Sequence, residues 1–141
     1  MNRDATFQGV ASMNDRVMQF ERQTFLNLET FKRSGQGVKT PVWFVQDGLT
    51  LYVRTGAESG KVKRVRNNGR ARVVPSDAQG NPLGEWVDAA ARLVDTDEAA
   101  RVNQMATRKY GVMKAGFDMM NRLQGHAWAT IRVDLPTQAV P

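Results

Sequence analysis

The fold class this chain predicts is mainly β, an antiparallel barrel carrying added helices. Three observations lead there. Six segments have strand character against few with helical periodicity, the first three strands are joined by hairpin-length links, and several strands are apolar on both faces. The first two observations give a six-stranded antiparallel barrel. The third describes its surroundings: a closed barrel buries only its inside, so a second apolar face must meet a helix, a ligand or another subunit.

Taken in chain order, Met13, Val17, Phe20 and Thr24 recur at helical spacing and predict a first helix over roughly 10–23. "FLNLETF" (25–31) alternates, with Leu26, Leu28 and Thr30 on one face, and "KRSGQG" is a turn. "VKTPVWFVQ" (38–46) is the next strand, with Val38, Val42 and Phe44 on one side and Trp43 and Val45 on the other. "DGLT" turns the chain into the strand "LYVRT" (51–55). "SGKVKRVRNN" is a short helix capped by Ser59. "RARVVPSD" (70–77) is a strand whose end is an edge or bulge because of Pro75. After the loop "DAQGNPLG" comes the strand "EWVDAAARLVD" (85–95). "DTDEAARVNQMATRKY" is a helix capped by Asp95 or Thr96, Gly111 interrupts it, and "MKAGFDMMNRL" continues it. "HAWATIRVDL" (126–135) is the last strand, completing the order α-β-β-β-α-β-β-α-β.

No linker or repeat divides the 141 residues, so one domain spanning 1–141 is expected. No apolar run approaches the ~18 residues of a spanning helix. The opening "MNRDATFQGV" has no apolar core of the kind a secretory signal needs, and cysteine is absent, so a cytoplasmic location is expected. The absence of cysteine also excludes disulfides, thiolate nucleophiles and cysteine-ligated metal sites. A net charge of +6 points to anionic partners: nucleic acid, phosphorylated cofactors or acidic metabolites.

One histidine, His126, cannot build a multi-histidine metal centre, and no GxSxG elbow supports a hydrolytic triad. The carboxylates are scattered, with no pair marked out for acid–base work, and neither a Walker loop nor GxGxxG is present. No catalytic side chain and no metal ligand is therefore assigned.

"ESGKVKR" (58–64) is the exception. Thr55 and Ser59 supply hydroxyls, Gly60 is permissive, and Lys61, Lys63 and Arg64 supply charge at a predicted helix start, whose free amides favour an anion. It reads equally as a phosphate site or as a solvated basic turn. Arg66, Arg70 and Arg72 would extend it into a nucleic-acid face, but no RNP-like aromatic pattern accompanies them. "TPVWF" (40–44) is the second unusual stretch. Pro41 removes a ladder donor inside a strand, and Trp43 offers a flat apolar surface.

The segment from "FLNLETF" through "TPVWF", "LYVRT" and "SGKVKRVR" to "NPLG" strongly resembles the pyridoxamine 5'-phosphate oxidase-like FMN-binding split-barrel superfamily, over roughly residues 22–95. Within it, the chain is similar to the branch of probable coenzyme F-420 (deazaflavin)-dependent reductases. The resemblance implies a six-stranded split β-barrel and a homodimer, with FMN or coenzyme F-420 in a groove between subunits. It implies that Thr40, Pro41, Val42 and Trp43 line the ring, and that Thr55, Ser59, Gly60, Lys61, Lys63 and Arg64 hold the phosphate, with "NPLG" (81–84) closing over the site. The activity it implies is hydride transfer to or from a small organic substrate. The alternatives within the resemblance are an FMN-binding protein without deazaflavin activity and a non-catalytic flavin binder; His126 is the one residue that could ligate haem. Partners beyond a second copy and a small molecule, nucleic acid and membrane included, are not expected. Gly69 departs from the family pattern, which often has proline there.

Overall fold

The computed structural model describes residues 13–123, 125 and 127–136. Its elements run α1 (Met13–Met18), β1 (Phe25–Phe31), β2 (Gly37–Trp43), β3 (Val45–Asp47), β4 (Thr50–Gly56), α2 (Gly60–Asn67), β5 (Arg70–Ser76), β6 (Val87–Leu93), α3 (Thr96–Tyr110), α4 (Val112–Leu123) and β7 (Trp128–Asp134). The first predicted helix ends early, at Met18. Residues 19–22 turn back, and Arg22 at φ 64° cannot continue a helix. Residues 10–12 of that prediction lie outside the described residues, as does His126.

Every ladder is antiparallel, and the strands form one sheet ordered β2-β1-β5-β6-β7-β4-β3. The two outermost strands, β2 and β3, are consecutive in the chain and separated only by Phe44. The sheet therefore curls round until its edges meet at that residue. This is why seven strands are found where six were predicted. The run 38–46 serves both edges: up to Trp43 it pairs with β1, and from Val45 it pairs with β4.

Alternation decides which side chains fill the interior. Leu26 and Leu28 of β1, Leu51 and Val53 of β4, Ala71 and Val73 of β5, and Ile131 and Val133 of β7 are all fully buried in one cluster. Burying each large aliphatic side chain contributes roughly 1.5–3 kcal/mol, which makes this interior the main source of stability. Phe44 joins the same cluster, and α2 adds Val65.

Helix α3 covers part of the outside. Asp95 caps it by accepting a 2.9 Å hydrogen bond from the Glu98 amide, and Gly111 at φ 55° ends it. Its Val102 and Ala106 pack on Val45 and Tyr52, forming a second cluster on the outer face of β3 and β4. Polar contacts fix the start of the helix. The Tyr52 hydroxyl donates to Glu98 at 2.7 Å, and Arg132 of β7 donates to the same carboxylate at 2.9 Å. The outward apolar side of strand 38–46 thus meets a helix over Val45.

The break at Phe44 leaves a peptide outside both ladders, and a buried unpaired amide is costly. The end of α3 supplies the partners. The Phe44 amide donates to the Tyr110 hydroxyl at 3.0 Å, and its carbonyl accepts from Tyr110 at 2.7 Å and from Lys109 Nζ at 2.8 Å. Replacing Tyr110 by Phe keeps the ring but strands the buried Phe44 amide. Tyr110→Phe is expected to lower stability by about 1–3 kcal/mol, read by urea denaturation monitored by circular dichroism.

Candidate functional site

The seam at Phe44 organises a site because its flanking side chains point outward. Trp43 stacks on Tyr110 with ring centroids 4.4 Å apart and planes 7° from parallel. Burial pushes the Tyr110 hydroxyl up to about 12, so it stays protonated and serves as donor and acceptor at once. Lys109 lies 3.7 Å from the Phe44 ring centroid, and burial pushes its ammonium down to about 8.

Beside this stack is a pocket of about 290 Å³ between the outer faces of the edge strands and the two late helices. Its walls are mostly apolar: Phe25, Pro41, Val42 and Val45 from the sheet, Val102 and Ala106 from α3, with Trp43, Tyr52, Tyr110 and Trp128 adding aromatic surface. Among the described residues, three charged ones line it. Arg54 of β4 lies with its guanidinium 4.4 Å from the Trp128 ring centroid and donates to Asp118 of α4 at 3.3 Å. Lys114, one helical turn before Asp118, donates to the same carboxylate. Burial alone would raise the Asp118 carboxyl, but the Lys114 hydrogen bond and the Arg54 charge outweigh it and hold the group below its ordinary range.

The basic loop lies at the end of the same strand. β4 ends at Gly56, which pairs with Trp128 across the β4–β7 ladder. Ser59 caps α2: its hydroxyl accepts from the Val62 amide and from the Thr55 hydroxyl, both at 3.4 Å. The first-turn amides of Gly60 and Lys61 have no intrahelical acceptor. Lys61 is half-buried. Burial, reinforced by the nearby Arg64 charge, pulls its ammonium below the ordinary lysine range, and among the described residues no carboxylate pairs with it. Arg64 folds back over the helix start and donates from Nε to the buried Thr30 hydroxyl at 2.7 Å. That route passes where a side chain at position 60 would begin, 2.6 Å from the guanidinium, so any residue but glycine there would push the Arg64 side chain aside. Lys63 faces solvent.

The singled-out residues therefore fall into two groups. Pro41, Val42 and Trp43 line the pocket, on an edge strand whose other side pairs with no strand among the described residues. Thr55, Ser59, Gly60, Lys61 and Arg64 gather at the start of α2, outside the pocket wall. Thr40 is half-buried on β2 and does not line the pocket. Of the "NPLG" loop, Pro82 bridges to Ser76, and the Leu83 amide bonds the Pro75 carbonyl at 2.7 Å. Sequence reading overlooked Arg54, Tyr110, Lys114, Asp118 and Trp128. Two signals were available: alternation along "LYVRT" puts Arg54 on the face opposite Thr55, and Lys114 and Asp118 have the i, i+4 spacing of one helix face.

The architecture has close parallels among solved structures. A candidate pyridoxamine 5'-phosphate oxidase from Listeria innocua aligns with a TM-score of 0.61 at 17% identity, covering 89% of this chain and 94% of that one. The fold is the split barrel of pyridoxamine 5'-phosphate oxidase-like proteins. HutZ, a haem storage protein from Vibrio cholerae, aligns with a TM-score of 0.66 at 16% identity, covering 90% and 92%. An F420 reductase aligns with a TM-score of 0.54 at 18% identity, covering 84% and 91%. No protein-family model and no curated protein matches the chain at the sequence level. Among the described residues, no helix of this split barrel is long and apolar enough to cross a membrane.

The Lys109 pKa gives a pH signature. Because it is depressed in the folded state, the unfolded chain binds more protons between about pH 8 and the ordinary lysine range. The Lys109 contribution therefore becomes more favourable as pH rises through 8, and it is least favourable below. Chemical denaturation between pH 7 and 10 should show wild type gaining stability relative to Lys109→Met as pH rises. A pH-independent difference would refute the assignment.

Proposed function

We propose that this protein is an oxidoreductase using a phosphorylated flavin-type cofactor, FMN or the deazaflavin coenzyme F-420, for hydride transfer to or from a small organic substrate. One observation carries the reading: Lys61 holds a half-buried positive charge, with no carboxylate partner among the described residues, beside the first-turn amides of α2 and the Ser59 hydroxyl. An anion at that point would relieve the repulsion from Arg64 and accept the amides, which is what a cofactor phosphate offers. The residues present therefore fit the group. Lys61, Ser59, Gly60 and Thr55 would hold the phosphate, Arg64 would add charge from behind, and Lys63 would add charge from the solvent side. Thr40, Pro41, Val42 and Trp43 would present the free edge of β2 to the ring.

When bound, such a cofactor supplies the hydride chemistry. The chain supplies orientation through the edge strand, charge through the α2 start, and dry apolar walls that exclude water. No side chain is assigned as acid or base. The resemblance of "TPVWF" and "SGKVKR" to the deazaflavin branch favours coenzyme F-420, and the F420 reductase among the similar folds agrees with it. A second reading, a binding protein without turnover, is supported by the storage protein that shares the fold.

We further propose a cytoplasmic homodimer with no nucleic-acid partner. The apolar surface on and next to α4 supports the dimer: Val112 is 88% exposed, Met113 56%, Met119 52% and Trp128 37%. Sedimentation at micromolar concentration should give a dimer; a compact monomer alone would refute it.

The cofactor reading is tested by titrating FMN, coenzyme F-420 and riboflavin into wild type and Lys61→Ala. A hydrogen bond to a charged group contributes about 1.5–3 kcal/mol, so the phosphorylated cofactors should bind Lys61→Ala roughly ten- to a hundredfold more weakly. Riboflavin, which has no phosphate, should bind both alike. Equal binding of all three by both proteins would reduce the loop to a solvated turn.

A further inference from the structure

We propose that the pocket beneath α3 and α4 is a binding site for a flat, largely apolar molecule carrying one anionic group, such as an aromatic carboxylate, and that Arg54 receives that group. The volume of about 290 Å³ is at the lower end of small-molecule sites and suits a one- or two-ring compound. Parallel aromatic surface is already built in: Trp43 and Tyr110 are stacked at 7°, and Trp128 lies against Arg54.

Charge selects the ligand class. Arg54 and Lys114 are two cations and Asp118 is one carboxylate, so the charged residues of the wall, among those described, leave one positive charge uncompensated. Asp118 is already shared by both cations. Arg54 spends one nitrogen on it, at 3.3 Å. The guanidinium carries five N–H donors in a fixed fork, and its side chain is 17% exposed. Its remaining donors have no acceptor among the described residues. A largely buried Arg54 side chain with spare guanidinium donors, steadied by Trp128, is matched by a planar carboxylate, which can take two N–H groups at once. A neutral ligand would leave that charge uncompensated, and a dianion would meet Asp118.

Pro41, Val42 and Trp43 belong both to the pocket wall and to the edge strand proposed for the cofactor ring; only the assignment of the ligand as substrate rests on the oxidoreductase reading. The test is isothermal titration calorimetry of the full chain with 2-naphthoate and its neutral counterpart 2-naphthalenemethanol. Naphthoate should bind wild type about tenfold or more tightly than the alcohol, and Arg54→Met should abolish that advantage. Asp118→Asn frees Arg54 and should tighten naphthoate binding several-fold without helping the alcohol. Equal binding of the two probes by wild type, an advantage surviving Arg54→Met, or no gain in Asp118→Asn would each overturn the proposal. FMN titrated in parallel separates the two readings. FMN binding without naphthoate preference sinks the pocket proposal alone, and naphthoate preference without FMN or coenzyme F-420 binding sinks the cofactor reading alone.

Discussion

A barrel closed by a single bent segment has to leave one peptide outside its ladders, and in this protein that peptide belongs to Phe44. Its amide and carbonyl are buried and cannot reach either β1 or β4. The Tyr110 hydroxyl and the Lys109 ammonium, brought from 66 and 65 residues away, take both groups. The location of the α3 terminus follows from that requirement, and much else follows from α3. With its end tied to the seam and its start tied through Glu98 to Tyr52 and Arg132, the helix must lie across the outside of β3 and β4. The pocket is the space left where α3 turns at Gly111 into α4.

The parts of this arrangement legible in the sequence are those governed by local rules. Period-two alternation placed Leu26, Leu28 and Thr30 on one face, and all three are fully buried inside the barrel. Ser59 and Asp95 do cap their helices, and Gly111 ends α3 with the positive φ that favours glycine. Pro41, which removes a ladder donor, stands on the edge strand β2.

What stayed hidden depends on distant pairing. Nothing in "VKTPVWFVQ" says that its two halves have different neighbours, because every residue in it suits a strand. Tyr110 reads as the last residue of an amphipathic helix, and its partner Phe44 is visible only once the sheet has curled. Arg54 was masked by its neighbour. Thr55 belongs to a recognisable basic loop, whereas the role of Arg54 arises from Trp128 and Asp118, both far along the chain.

The Trp43–Tyr110 stack has one further consequence. Trp43 belongs to the free edge strand and Tyr110 to the seam, and both rings form part of the pocket wall. A guest that displaces Tyr110 must disturb the Phe44 peptide and, through Trp43, the edge on the other side. Any free energy of interaction between an occupant of the pocket and one bound along that edge is shared equally by the two. Whatever factor the first applies to the affinity of the second, the second returns to the first.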